Sequence, residues 1–196
     1  MNIESQEKII TLRIINRILN ESVVPAEEIR VFDFDDTLVK TGSMIHVTGP
    51  GGEKFSMTPR DYAMYVPSKH DKFDFSDFED LIDPQPVQST LLKLKMAIRD
   101  VGQDNVFILT ARGNPDPVRE FLRSQEIPDI QIFAVGSSDP QKKADVIKNE
   151  VLSRKKLSRR VKNVFFYDDS PKNIRAVRAL KRDKELFGVD IVTIKV

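Results

Sequence analysis

From about residue 87 onward, short apolar runs alternate with amphipathic stretches, and this alternation restricts the chain to few architectures. The runs "NVFILT" (105–110), "IQIFAV" (130–135), "NVFFYD" (163–168) and "VDIVTIKV" (189–196) have the length of buried strands. Helical spacing predicts helices over 87–100, 116–124, 140–156 and 171–182. The third of these opens with Asp139 as N-cap and Pro140 at the first helical position. One further apolar run, "IRVFDF" (29–34), precedes the series. Such repetition folds into a parallel sheet with helices on both faces. The expected fold is α/β, with about five strands in a single domain spanning 1–196.

Two segments lie outside the alternation. In residues 4–20, Ile10, Ile14, Ile15, Ile18 and Leu19 recur at helical spacing and predict an amphipathic helix packed on the domain. Glu4, Glu7, Lys8, Arg13 and Arg17 make it too charged for a signal peptide core or a membrane span. Residues 40–86 read as an insert, a flap or small cap. Its "GPGG" (49–52) predicts a hairpin turn, and Thr58-Pro59 predicts a helix start. Residues 66–86 are expected to be irregular, with a short helix from Ser76. The insert aromatics Phe55, Tyr62, Tyr65, Phe73, Phe75 and Phe78 are expected to form a small satellite core.

Composition narrows the chemistry. The chain has no cysteine, so disulfides and thiolate metal sites are excluded, and a cytoplasmic location is expected. Its two histidines, His46 and His70, are too few for a zinc site. A formal net charge of +1 gives no global field toward nucleic acid or membrane. The basic run "RKKLSRRVK" (154–162) is expected to be a solvated helix end and loop.

In open parallel sheets, ligands bind beyond the carboxyl ends of the strands. The residues there are Asp33, Asp35 and Thr37 after the first run, Thr110 and Arg112 after the second, and Asp168, Asp169 and Asn173 after the fourth. Lys142 and Lys143 stand at the start of the 140–156 helix. Clustered carboxylates repel unless a cation joins them, and a few hard oxygen ligands suit Mg²⁺ together with a phosphate. A hydroxyl and a lysine can hold further phosphate oxygens. An aspartate beside such a phosphate can attack phosphorus. Of the two lysines, Lys143 shares the helix face of Ala144, Ile147 and Val151, whereas Lys142 turns away, so Lys143 is the candidate.

These residues resemble the four motifs of the haloacid dehalogenase-like (HAD) hydrolases. The chain carries Asp33-Phe34-Asp35-Asp36-Thr37 after an apolar strand, then Thr110 ending "VFILT", then Lys143, then Asp168-Asp169-Ser170-Pro171-Lys172-Asn173. The resemblance implies a Rossmann-like fold and a Mg²⁺-dependent phosphomonoester hydrolase working through an aspartyl-phosphate. It implies Asp33 as nucleophile and metal ligand, and Asp35 as general acid and base that lends its carbonyl to the metal. Thr37 would brace the loop, Thr110 would bond a phosphate oxygen, and Lys143 would offset charge. Asp169 would bind Mg²⁺, with Asp168 as ligand or second shell, and Asn173 would orient the acidic loop. For Asp35 to donate a proton its pKa should be raised, and Asp33 is the expected like-charged neighbour.

A phospho-accepting receiver domain uses similar residues, but its acid pair precedes its acceptor, the reverse of the order here. A P-loop nucleotidase is excluded because no GxxxxGK[ST] occurs. A non-catalytic phosphate- or metal-binding module is the remaining alternative. The expected partner is a phosphorylated substrate, either a small molecule or a nucleic-acid end, with no membrane. "KADVIKNEVL" (143–152), "LTAR" and the Asp168-Asp169 pair are also similar to the phosphatase half of phage-type polynucleotide kinase/3′-phosphatases. That similarity makes Arg112 a candidate substrate-phosphate contact, with Thr37 and Asn173 beside it.

Overall fold

The computed structural model describes residues 26–196, so the helix expected over 4–20 lies outside the described residues. Five strands form one parallel sheet: β1 (Ala26–Phe32), β7 (Val106–Thr110), β8 (Gln131–Ala134), β9 (Arg160–Asp168) and β10 (Asp190–Lys195). Their spatial order is β10-β9-β1-β7-β8, a Rossmann-like arrangement. The chain runs outward from β1 through β7 to β8, then crosses back to β9. The strand order therefore reverses between β1 and β9, the kind of crevice where such sheets bind ligands.

Side-chain alternation divides the core into two layers. On one face Ile29 and Val31 of β1, Phe107 and Leu109 of β7, and Val164 and Phe166 of β9 are buried. They pack against Ala144, Ile147 and Val151 of α4 (Pro140–Lys156) and Ile174 and Val177 of α5 (Pro171–Ala179). On the other face Phe32, Phe34, Val106 and Ile108 meet Leu91, Leu94 and Ala97 of α2 (Gln88–Val101) and Val118, Phe121 and Leu122 of α3 (Asp116–Ser124). Phe32, Phe34, Phe107 and Phe166 are fully buried. Each such side chain contributes roughly 1.5–3 kcal/mol over its exposed state.

The helices follow the expected signals. Asp139 caps α4 by accepting from the Gln141 amide. Helix α2 stops where Gly102 takes φ 82°, a conformation that glycine adopts without steric cost. Helix α5 ends at Ala179 and tightens into a 3₁₀ turn over Leu180–Arg182, within the span expected to be helical. No helix among the described residues is long and apolar enough to cross a membrane.

The insert is more regular than its sequence suggests. Strands β3 (Ile45–Thr48) and β4 (Lys54–Met57) form the expected hairpin around 49–52. Thr58 caps α1 (Pro59–Met64) through the Asp61 amide. A third strand, β5 (Lys72–Asp74), pairs with β3 inside the stretch expected to be irregular. At the base, β2 (Val39–Lys40) and β6 (Gln85–Pro86) pair antiparallel and form a neck. Ile45, Val47 and Met57 are buried under Tyr62, Tyr65, Phe73 and Phe78, the expected satellite core. Phe55 and Phe75 lie at its edge, 40% and 42% exposed.

The basic run departs from expectation. Residue 160 begins β9, and Arg154 is buried rather than solvated. Its guanidinium donates to Glu150, Glu27, the Asn105 side chain and the Asp104 carbonyl. A buried guanidinium needs such partners, and this network ties the C-terminal turn of α4 to the starts of β1 and β7.

Candidate functional site

Strand alternation decides which site residues meet. Asp33 follows β1 and keeps the parity of Ile29 and Val31, so it faces α4. Its amide continues the ladder, donating to the Tyr167 carbonyl at 2.9 Å. Asp168 ends β9 with the parity of Val164 and Phe166 and faces the same way. Lys143 rises between them from the first turn of α4. Its Nζ donates to Asp33 Oδ1 at 2.5 Å and to Asp168 Oδ2 at 2.9 Å. All three residues are buried, whereas Lys142 is exposed. Helix-face spacing selects the lysine that the structure places in the site.

Asp168 has several partners. Besides Lys143, it accepts from the Ser170 amide at 2.8 Å and from Asn173 Nδ2 at 3.1 and 3.0 Å. Asn173 thus orients Asp168, in keeping with its expected hold on the acidic loop. Thr37 stands beside it. Its hydroxyl is fully buried, donates to Asp33 Oδ2 at 3.3 Å and accepts from the Asp169 amide at 3.2 Å. It braces the two acidic loops against each other, as expected of it.

Asp33, Asp168 and Asp169 each present a carboxylate oxygen within 4.8 Å of the others, close enough to hold one metal ion. Together with Lys143, three carboxylates and one ammonium leave a formal charge of −2, which a divalent cation would balance. Among the described residues no other side chain donates to Asp169, so its oxygens are the freest of the trio. Burial, with Asp168 and Asp36 nearby, pushes its pKa from 3.8 up to about 6. Burial also pushes Asp33 well above the ordinary carboxylate range. Lys143 opposes that shift, while Asp168 and Asp169 add to it. Lys143 is itself held well above the ordinary lysine range by Asp33 and Asp168, against the effect of its burial. Two neighbouring carboxylates, Asp33 and Asp169, that resist ionising by themselves have the electrostatics of a cation site.

The second half of the site lies on the other face. Thr110 has the parity of Val106 and Ile108, so it points away from α4. Its buried hydroxyl accepts from the Arg112 amide at 3.2 Å and lies 3.5 Å from Asp35 Oδ2. Arg112 departs furthest from expectation. Nε donates to both Asp35 oxygens at 3.1 and 3.0 Å, and Nη2 to Oδ1 at 2.7 Å. Nη1 donates to the Phe78 and Asp80 carbonyls, each at 2.8 Å. Four of its five N–H groups are therefore taken by the protein itself, where the expected role was a substrate-phosphate contact. The charged group in contact with Asp35 is this guanidinium. Asp35's carboxylate also stands outside the trio of potential metal ligands.

Sequence reasoning gave no role to Asp36. It adopts φ 58° in the turn closed by Phe34 and Val39, a conformation that aspartate tolerates better than most residues. Its pKa is raised by burial and by Asp35, with Lys40 and Arg60 opposing. The carbonyls of Phe78 and Asp80 were missed because a backbone acceptor leaves no mark in a sequence.

No protein-family model, curated protein or solved structure matches this chain.

Proposed function

We propose that the protein is a Mg²⁺-dependent phosphomonoester hydrolase that works through an aspartyl-phosphate on Asp33. The observation that carries this reading is the Lys143 ammonium between Asp33 and Asp168, with Asp169 alongside, at the sheet's reversal point. The HAD-like order of the same residues supports it. Asp33, Asp168 and Asp169 would hold Mg²⁺, which supplies neutralising charge for a phosphate dianion. All three offer hard oxygen ligands, and their charge exceeds what Lys143 balances.

Asp33 is the nucleophile, and Lys143 favours its ionised form. Its Oδ bonds to phosphorus as the ester oxygen leaves, and Asp35 gives that oxygen its proton. Water then attacks the aspartyl-phosphate. Asp35, again a carboxylate, takes the water's proton, and phosphate departs with Asp33 restored. Thr110 steadies a phosphate oxygen beside Asp35. The nucleic-acid 3′-end reading rests on similarity of short segments and made Arg112 a phosphate contact; four of its five N–H groups are occupied, so the proposal is stated for phosphomonoesters as a class.

The test is phosphate release from an aryl phosphate with Mg²⁺ or chelator, for the wild type and Asp33→Asn. Release that requires both the metal and Asp33 is the expected result. Release retained by a folded Asp33→Asn would overturn the nucleophile assignment. No release from any phosphoester would favour a binding module.

A further inference from the structure

Arg112 holds parts of the chain that are far apart in sequence. Its guanidinium forks onto Asp35 while Nη1 grips the Phe78 and Asp80 carbonyls on the insert's returning arm. It also lies between two rings, 5.7 Å from the centroid of Phe34 and 5.3 Å from that of Phe78. One ring belongs to the loop after β1 and the other to the insert. The arginine side chain is fully buried, and Asp35 is 20% exposed. Among the described residues Arg112 is the one side chain outside the insert that hydrogen-bonds to it.

We infer that Arg112 is a positioning residue that couples the seating of the insert to the placement of the Asp35 carboxylate. A guanidinium is rigid and planar, so it cannot turn toward one set of partners without leaving the other. With the insert seated, Nη1 is satisfied and the fork fixes Asp35 beside Thr110. With the insert lifted, Nη1 loses both carbonyls and Phe78 leaves its face, so the plane holding Asp35 is no longer fixed. Among the described residues the Asp35 side chain makes no hydrogen bond to the insert, so the side-chain link between the two is Arg112, beside the backbone bridge from Asp35 to Val39 at the neck.

The kinetic consequence rests on the proposed role of Asp35 in a phosphomonoesterase, whereas the mechanical coupling does not. Two measurements separate them. The first is hydrogen exchange at amides 78–82 in the wild type, Asp35→Asn and Arg112→Gln. Asp35→Asn keeps the carboxylate's shape, removes its charge and leaves the insert untouched. It should speed exchange at 78–82 by about fivefold or more while β1 and β9 stay protected. Arg112→Gln should do the same. Unchanged exchange in Asp35→Asn would overturn the coupling.

The second compares an alkyl phosphate, whose leaving oxygen needs a proton, with a nitrophenyl phosphate, whose leaving oxygen does not. Arg112→Lys keeps the charge but loses the fork. It should lower kcat on the alkyl ester about tenfold more than on the aryl ester, with KM little changed. Equal losses on both esters with a raised KM would make Arg112 a substrate contact and overturn the inference. If the wild type releases no phosphate from either ester, the enzymatic reading fails and the exchange result alone decides the coupling.

Discussion

Lys143 Nζ lies 2.5 Å from Asp33 Oδ1, and both side chains are almost fully removed from solvent. The pair is joined by Asp168, 2.9 Å from the same nitrogen. A single buried cation therefore holds together the ends of the two adjacent strands β1 and β9.

Removing that cation should be costly. Lys143→Met keeps the volume but strands two carboxylates out of water, and breaking a buried pair in this way costs about 3–5 kcal/mol. Urea denaturation in chelator should show a loss of that size at pH 7. Mg²⁺ should recover part of it by supplying the missing positive charge. A loss below about 1 kcal/mol, the range of exposed pairs, would mean the contact is solvent-screened.

The pH dependence of the metal-free protein follows from Asp169. Its folded pKa is about 6 against an ordinary 3.8. Between those values the folded state binds more protons than the unfolded one, so stability falls as pH rises through that window. The loss is complete above about pH 6 and absent below about pH 4. Solvent reaches part of this carboxylate, so the effect is about 1–2 kcal/mol rather than the full value of the shift. Asp33, also raised, acts with the same sign. Thermal melts at pH 4.5 and 7 in chelator should show the fall, Mg²⁺ should oppose it at pH 7, and Asp169→Asn should flatten it. An equal slope in Asp169→Asn would place the effect elsewhere.

Asn173 should matter to metal affinity more than to folding. It fixes both oxygens of Asp168 from the first turn of α5. Loss of an outer hydrogen bond of this kind lowers metal affinity by about 10–100-fold. Calorimetric titration of Asn173→Ala with Mg²⁺ should show that loss with a melting temperature close to the wild type. Unchanged affinity would argue that Asp168 serves Lys143 alone.

The parts of this molecule that were legible in the sequence are those set by local periodicity. Period two places Asp33 and Asp168 on the face of α4, and helical spacing places Lys143 there and Lys142 outside. The alternation also gives the sheet and its covering helices. What escaped depends on approaches between distant segments. Arg112 reads as a cation beside a phosphate site, and nothing local reveals that two insert carbonyls lie within its reach. Arg154 reads as one charge in a basic run, yet Glu27, Glu150 and Asn105 make it a buried knot. Strand β5 and the two-residue neck were invisible because their pairing partners, not their own three or two residues, define them.

The neck has a consequence for how this protein could be remodelled. Lys40 and Gln85 are directly paired, and residues paired across antiparallel strands lie only about 4.5–5.5 Å apart at Cα. The whole of 41–84 therefore leaves and rejoins the chain at nearly one point, and a tight turn could close the gap without stretching β1 or α2. The sheet is in this sense a chassis and the insert an interchangeable fitting. The exchange is limited by one side chain: any replacement must either offer two carbonyls and a ring to Arg112 or be accompanied by its substitution, because two of the four N–H groups the guanidinium now uses would lose their acceptors.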